Sequence, residues 1–158
     1  MGTQKASGFG PMLRAGVLAG IAGGLAEVAW VILYGAATGT PTEPVARGVV
    51  ATLIPALAAS SWSIWLGILI HLVLAVALGL SLALAVLHFA LGDGADSFRF
   101  GLVMLTLAAV WAVNFLVALP YLNPEFVRLL PYAVTLFSKL LFGLSAAIVL
   151  TTDSRRSV

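Results

Sequence analysis

Four long runs of apolar residues constrain this chain more than any other feature of its sequence. They lie at about residues 15–37, 62–91, 100–119 and 131–150. A helix needs roughly 20 apolar residues to cross the hydrocarbon core of a bilayer, and each run meets that requirement. Hydrophobic residues make up 61% of the 158-residue chain and charged residues only 9%, which is too little charge for a soluble globular surface. The sequence therefore predicts an all-α integral membrane protein built as one four-helix bundle.

Short polar segments flank the predicted spans. We expect residues 1–14 to form a polar, basic tail, residues 15–152 the four-span domain, and residues 153–158 a second polar tail. The first run is long for the apolar core of a signal peptide and contains Glu27, so we interpret it as an uncleaved span.

Two connectors between the spans carry apolar residues at helical spacing. We expect both to form short amphipathic helices at the outer membrane surface. In the first connector, Glu43 and Arg47 stand four residues apart, and in the second, Glu125 and Arg128 stand three apart. Both spacings favour ion pairs on a helix surface. Pro120 is expected to end the third span, because proline cannot donate the backbone hydrogen bond that a helix needs.

The distribution of basic residues predicts the orientation, because cytoplasmic loops carry an excess of lysine and arginine. If the N-terminus is cytoplasmic, five basic residues lie on that side and two on the other. The cytoplasmic set is Lys5, Arg14, Arg99, Arg155 and Arg156, and the outer set is Arg47 and Arg128. We therefore expect a multi-pass protein of the cytoplasmic (inner) membrane with both termini inside.

Each predicted span also contains one strongly polar residue. Counted from the span ends at about 1.5 Å per residue, these residues lie roughly 8–15 Å below the outer boundary. They are Glu27, His71, Asn114 and Lys139. A lone charge at the membrane centre costs about 2.5–3.5 kcal/mol on insertion scales, so we expect Lys139 to pair with Glu27. The other two would complete the hydrogen bonding of a buried polar layer.

Small residues accompany the polar ones at four-residue spacing, and such stripes let membrane helices approach closely. We expect the following stripes to face inward: Gly16, Gly20 and Gly24 beside Ala19, Gly23 and Glu27; Gly67, His71, Ala75 and Gly79; Thr106, Val110, Asn114 and Ala118; Thr135, Lys139, Gly143 and Ala147. Trp30 and Trp111 lie deep in their spans. They either line a pocket beside the polar layer or simply pack.

Several chemistries find no support in the sequence. It contains no cysteine, no nucleotide-binding loop and no hydrolase or zinc-protease motif, and no basic cluster of the kind that binds nucleic acid. His71 and His88 are about 25 Å apart along one helix, so they cannot ligate the same haem. A haem b held by His88 and Met104 is the remaining cofactor hypothesis, against a packing role for both. We predict no metal site and no resident cofactor.

The glycine-rich first span, "LGILIHLVLAVALGL" in the second and "VTLFSKLLFGLSAA" in the fourth resemble small four-span bacterial inner-membrane proteins of unknown function. The resemblance implies a fold and a location, and it assigns no catalytic residue. Two functional hypotheses follow. The chain is either a non-enzymatic accessory or assembly subunit, bound to other membrane subunits or to itself, or a small transporter or proton-conducting protein that uses the polar layer. Lipid or quinone binding is a further alternative.

Overall fold

The computed structural model describes residues 9–89 and 96–156, and these residues form helices without any strand. The helices are α1 (Phe9–Thr38), α2 (Glu43–Leu53), a 3₁₀ turn (Pro55–Leu57), α3 (Ser63–Phe89), α4 (Asp96–Ala112), a π-helical turn (Val113–Ala118), α5 (Leu119–Leu122), α6 (Pro124–Val127) and α7 (Tyr132–Arg156). Four stretches are long and apolar enough to cross a membrane. The predicted all-α, four-span fold class is therefore confirmed.

The spanning stretches are Gly10–Thr38, Ser63–Ala85, Phe100–Leu122 and Tyr132–Leu150. Both terminal helices reach into segments that the sequence assigned to polar tails. Helix α1 begins at Phe9, since Pro11 in its first turn needs no amide donor there. Helix α7 runs on to Arg156, because no glycine or proline interrupts it after the membrane span. The predicted end of the second span, at residue 91, lies outside the described residues.

Helix α1 lies at the centre of the bundle. It packs against α3 on one side and α7 on the other, α4 packs on α7, and the contact between α3 and α4 is slight. In the most apolar stretch of α1, one third of the residues are buried inside the protein. In the corresponding stretch of the third span, only 11% are buried. The third span therefore relies on α7 for most of its helix packing.

Glycines bring the backbones of α1 and α3 into direct contact. A Cβ atom added to Gly79 would lie 2.4 Å from the carbonyl oxygen of Gly16, and one added to Gly20 would lie 2.5 Å from the Cα atom of Val76. On the neighbouring face of α1, Gly23 leaves room for the ring of Phe142 from α7. The small-residue stripes of α1 and α3 thus lie at helix contacts, as predicted.

The stripe predicted for the third span is only partly correct, since Thr106, Val110 and Ala118 are half-buried but Asn114 is exposed. The fully buried residues of this span are Val103 and Leu107, which the stripe did not include. Met104 and Leu107 instead fill the space beside Gly143 of α7. Because the glycine of α7 already allows close approach, α4 contributes large apolar side chains to this contact rather than its own small ones.

Pro120 does not end the third span, which corrects the prediction. The helix widens to a π-helical turn, in which the N–H of Leu119 donates to the carbonyl of Asn114 five residues earlier, and continues to Leu122. A proline ring in a regular α-helix would crowd the carbonyl four residues before it. The wider turn relieves that crowding and lets the helix pass through the proline.

Candidate functional site

A buried ion pair joins α1 to α7 inside the bundle. The Nζ atom of Lys139 lies 2.8 Å from Oε1 of Glu27, and the two side chains are 14% and 7% exposed. Lys139 also lies 5.3 Å from the ring centroid of Phe142. The contact predicted between these oppositely charged residues is present. An ion pair within a span lowers the cost of holding either charge there.

Ser138 adds a further donor that the sequence analysis missed. Its hydroxyl lies 3.5 Å from Oε1 of Glu27 and is buried with it. Ser138 directly precedes Lys139, and both reach the same carboxylate because α7 packs along α1 with Phe142 in the gap at Gly23. The sequence did contain a sign of this contact, because Ser138 stands directly beside the lysine inside a membrane span. One oxygen of Glu27 is therefore served by two donors.

The second oxygen of Glu27 is in a different situation. Its Oε2 atom is buried and has no hydrogen-bond partner within the described part of the chain. The nearest charged or titratable neighbour from α3 is His71, whose Nε2 lies 3.7 Å away, too far for a hydrogen bond. A buried acceptor without a donor costs about 1–3 kcal/mol. Among the described side chains of the ion-pair site, this atom is the buried acceptor that lacks a donor.

The surroundings of His71 determine its neutral tautomer. Its Nε2 atom lies 3.3 Å from the carbonyl oxygen of Gly24 and faces the carboxylate of Glu27 beyond it. Both neighbours are acceptors, so we assign the hydrogen of the neutral ring to Nε2 and leave Nδ1 unprotonated. The His71 side chain is 27% exposed. The ring therefore bridges the buried carboxylate and a more accessible face of α3.

Asn114 does not join this group, which corrects the predicted four-residue layer. It lies in the π-helical turn of the third span and is exposed. Of the four residues predicted for the layer, the structure brings together Glu27, His71 and Lys139, which lie on α1, α3 and α7. Distance along a helix gave the level of Asn114 but not the direction in which its side chain points.

The two deep tryptophans both anchor the start of α7. The indole N–H of Trp30 donates to the carbonyl of Val134, and that of Trp111 donates to Oγ1 of Thr135, each at 3.0 Å. The ring of Trp30 also packs 4.6 Å from that of Phe137, measured between centroids. These contacts support the packing alternative and place both rings at helix contacts rather than in an open pocket.

The first connector is organised differently from its predicted ion pair. Arg47 directs Nη1 away from Glu43 and donates to the carbonyls of Ala58 and Ser60, at 3.5 and 3.2 Å, and to Oγ of Ser63. Arg47 thus links the loop after the 3₁₀ turn to the start of α3, where its guanidinium has three acceptors within reach. The Glu43–Arg47 pair was therefore a wrong prediction.

This arrangement predicts unequal effects of two charge-removing substitutions. Arg47→Gln should lower the free energy of unfolding by about 1–3 kcal/mol, because it takes the guanidinium donor away from two half-buried loop carbonyls and from the buried hydroxyl of Ser63. Glu43→Gln, at an exposed position, should change it by no more than about 0.5 kcal/mol. Detergent-solubilised variants compared by thermal unfolding measure both. If both variants lost the same free energy of unfolding, Glu43 and Arg47 would have to pair with each other after all.

The second connector contains the predicted pair of Glu125 and Arg128, 3.2 Å apart with both side chains largely exposed. An exposed pair of this kind contributes little stability. Asn123 links the connectors more firmly. Its Oδ1 accepts from the N–H of Phe126, and its Nδ2 donates to Oγ1 of Thr52 at 3.0 Å.

A cavity of about 390 Å³ lies between these connectors, away from the ion-pair site, and is lined by residues such as Pro44, Arg47 and Phe126. Among the described residues, no group of three histidines or carboxylates is placed to hold a metal. Of the proposed haem ligands, Met104 places its sulfur against Gly143, which favours packing. The side chain of His88 lies outside the described part of the structure.

The candidate site is thus a carboxylate shared unequally between Lys139 and His71 at the contact of three membrane helices. It can hold a fixed internal charge pair, and its free oxygen can accept a proton. Comparison with known proteins adds no assignment, because no protein-family model, curated protein or solved structure matches this chain.

Proposed function

We propose that this protein is a non-enzymatic accessory or assembly subunit of a larger complex in the cytoplasmic membrane, with both termini inside. Its third span, Phe100–Leu122, would bind a transmembrane helix of another subunit. The observation that carries this proposal is the exposed side chain of Asn114 within that span. The short connectors support it too, since they leave recognition mainly to the surfaces inside the bilayer.

The depth of Asn114 makes its exposure costly in lipid alone. It lies eight residues before the end of the span at Leu122, about 12 Å along the helix. A primary amide has two donors and an acceptor, and hydrocarbon satisfies none of them. Pro120 adds to this demand, because it offers no N–H to the carbonyls of the preceding turn. A partner helix with a hydrogen-bonding side chain at this level would satisfy both the amide of Asn114 and these carbonyls.

Burial within the chain singles out the same surface. The third span is the least buried of the four, and its exposed residues on either side of Asn114 are Val113, Leu116 and Val117. An apolar surface with one central polar group is typical of helix contacts in membranes, where packing and interhelical hydrogen bonds replace the hydrophobic effect.

Photocrosslinking in native membranes tests this proposal with a closely matched control. A benzophenone side chain at Val113, which is 59% exposed, should capture a discrete membrane protein, whereas the same group at Val73 of α3, which is 60% exposed, should label lipid. Adding Asn114→Leu should weaken association about 3- to 30-fold, the equivalent of one interhelical hydrogen bond.

Two outcomes would overturn the proposal. If only lipid adducts formed at both positions, the surface of the third span around Asn114 would bind no partner helix. A crosslinked product made of two copies of this chain would replace the accessory subunit with a homo-oligomer. Mass spectrometry of the product distinguishes these results from capture of a different subunit.

A further inference from the structure

We infer that His71 and Glu27 form a proton-binding site in which the histidine delivers protons to the buried carboxylate. The inference concerns residues that the accessory role does not use, so either can hold without the other. The evidence is the unpartnered Oε2 atom of Glu27, which is buried among described residues and faces the Nε2 atom of His71 at 3.7 Å.

The geometry gives each ring nitrogen of His71 a distinct role. Nε2 carries the hydrogen that points toward Gly24 and Glu27, and Nδ1 is the free basic position. Imidazole is the side chain that exchanges protons near neutral pH. A proton bound at Nδ1 converts the ring to an imidazolium with an acidic N–H directed at the carboxylate. A shift of about 0.5–1 Å would bring Nε2 and Oε2 within hydrogen-bond distance.

Transfer then balances without any other reactant. The Nε2–H bond breaks, an O–H bond forms at Oε2, and the ring returns to a neutral state with its hydrogen on Nδ1. Before transfer the site holds an ammonium, a carboxylate and an imidazolium, and afterwards an ammonium with two neutral groups, so the net charge stays at +1. Lys139 loses its anionic partner but keeps its position over the ring of Phe142. Protonation of Glu27 thus weakens the link between α1 and α7.

Few other charged groups face this site among the described residues. Helix α7 contributes Lys139 and the hydroxyl of Ser138, and α3 contributes His71. The basic residue of α2, Arg47, is held at Ser63, eight residues before His71 on α3. Since Lys139 serves Oε1, it leaves Oε2 as the acceptor that His71 can reach.

Nuclear magnetic resonance of the histidine ring tests the first half of the inference. The chain has two histidines, so His88→Gln leaves His71 as the single imidazole in a full-length protein with an unchanged site. In ¹⁵N-histidine-labelled protein in lipid nanodiscs, we expect the neutral ring to carry its hydrogen on Nε2 in alkaline buffer, and Nδ1 to bind a proton when the buffer is acidified. An Nδ1–H tautomer in alkaline buffer, before any proton has been added, or a ring whose state does not change on acidification, would overturn it.

Difference infrared spectroscopy after a drop in pH tests the transfer. A carboxyl C=O band that disappears in Glu27→Gln but persists in Glu43→Gln identifies protonated Glu27. In His71→Gln this band should form about a hundredfold more slowly, the usual contribution of a positioned proton donor. Formation at the wild-type rate would show that protons reach Glu27 by another route. The ring measurement needs no change at the site, so misfolding of a variant cannot decide the result.

Discussion

Lys139→Met is expected to lower the free energy of unfolding by about 3–5 kcal/mol, the usual cost of removing one partner of a buried ion pair. The substitution leaves Glu27, 6% exposed, as a buried carboxylate without its cationic partner. Ser138, at 3.5 Å from Oε1, is too weak a donor to replace an ammonium at 2.8 Å. Reversible unfolding in mixed detergent micelles measures the loss.

The double variant Glu27→Gln, Lys139→Met should recover most of that stability. It removes both charges and keeps similar side-chain volumes, and buried ion pairs replaced in this way are often as stable as the original. A double-mutant cycle therefore separates the penalty of a lone charge from the value of the pair. The exposed pair provides the control, since Arg128→Met should change stability by at most about 1 kcal/mol.

The opposite pattern would contradict the central role of this pair. A loss below about 1 kcal/mol in Lys139→Met would mean that lysine and glutamate contribute no more than a surface pair. Equal losses in the single and double variants would mean that the shapes of these side chains, rather than their charges, hold α1 against α7.

The sequence was sufficient to predict that the first and fourth spans meet, and at what level. A charge inside a membrane span needs a partner, and a helix advances by a fixed distance per residue, so opposite charges at equal depths define a contact. Glu27 and Lys139 were found this way from opposite ends of the chain. The glycines of α1 and α3 were predictable for a similar reason, since close backbone approach requires residues without side chains.

The directions of other side chains could not be predicted in the same way. Asn114 shares the depth of the polar layer, yet whether a helix turns a residue inward depends on which neighbour it packs against. Here α4 packs mainly on α7, through Leu107 and Met104. Arg47 likewise has two sets of acceptors within reach, and the path of the loop after α2 decides between them. Both errors concern rotation or loop path, for which helical spacing contains no information.

Gly79→Val should destabilise the protein by about 3 kcal/mol or more, because its side chain has no room at the contact between α1 and α3. Even a single Cβ atom would lie 2.4 Å from backbone atoms of both Gly16 and Gly20, and backbone cannot rotate away as a side chain can. The two helices must therefore move apart, and packing is lost along the whole contact between α1 and α3. Gly101→Val is the matched control, since nothing lies within 4 Å of a Cβ atom there, and it should alter stability by only about 0.5 kcal/mol.

The same variant links packing to the proton site. In the wild type, the carbonyl of Gly24 lies 3.3 Å from Nε2 of His71 and favours a hydrogen on that nitrogen. Separating α1 from α3 moves this carbonyl away, so the preference for Nε2 is lost. We therefore expect Gly79→Val to populate both neutral tautomers of His71, and Gly101→Val to retain one. If Gly79→Val were as stable as the wild type and kept the single tautomer, the contact that positions His71 beside Glu27 could not be the glycine face of α1 and α3.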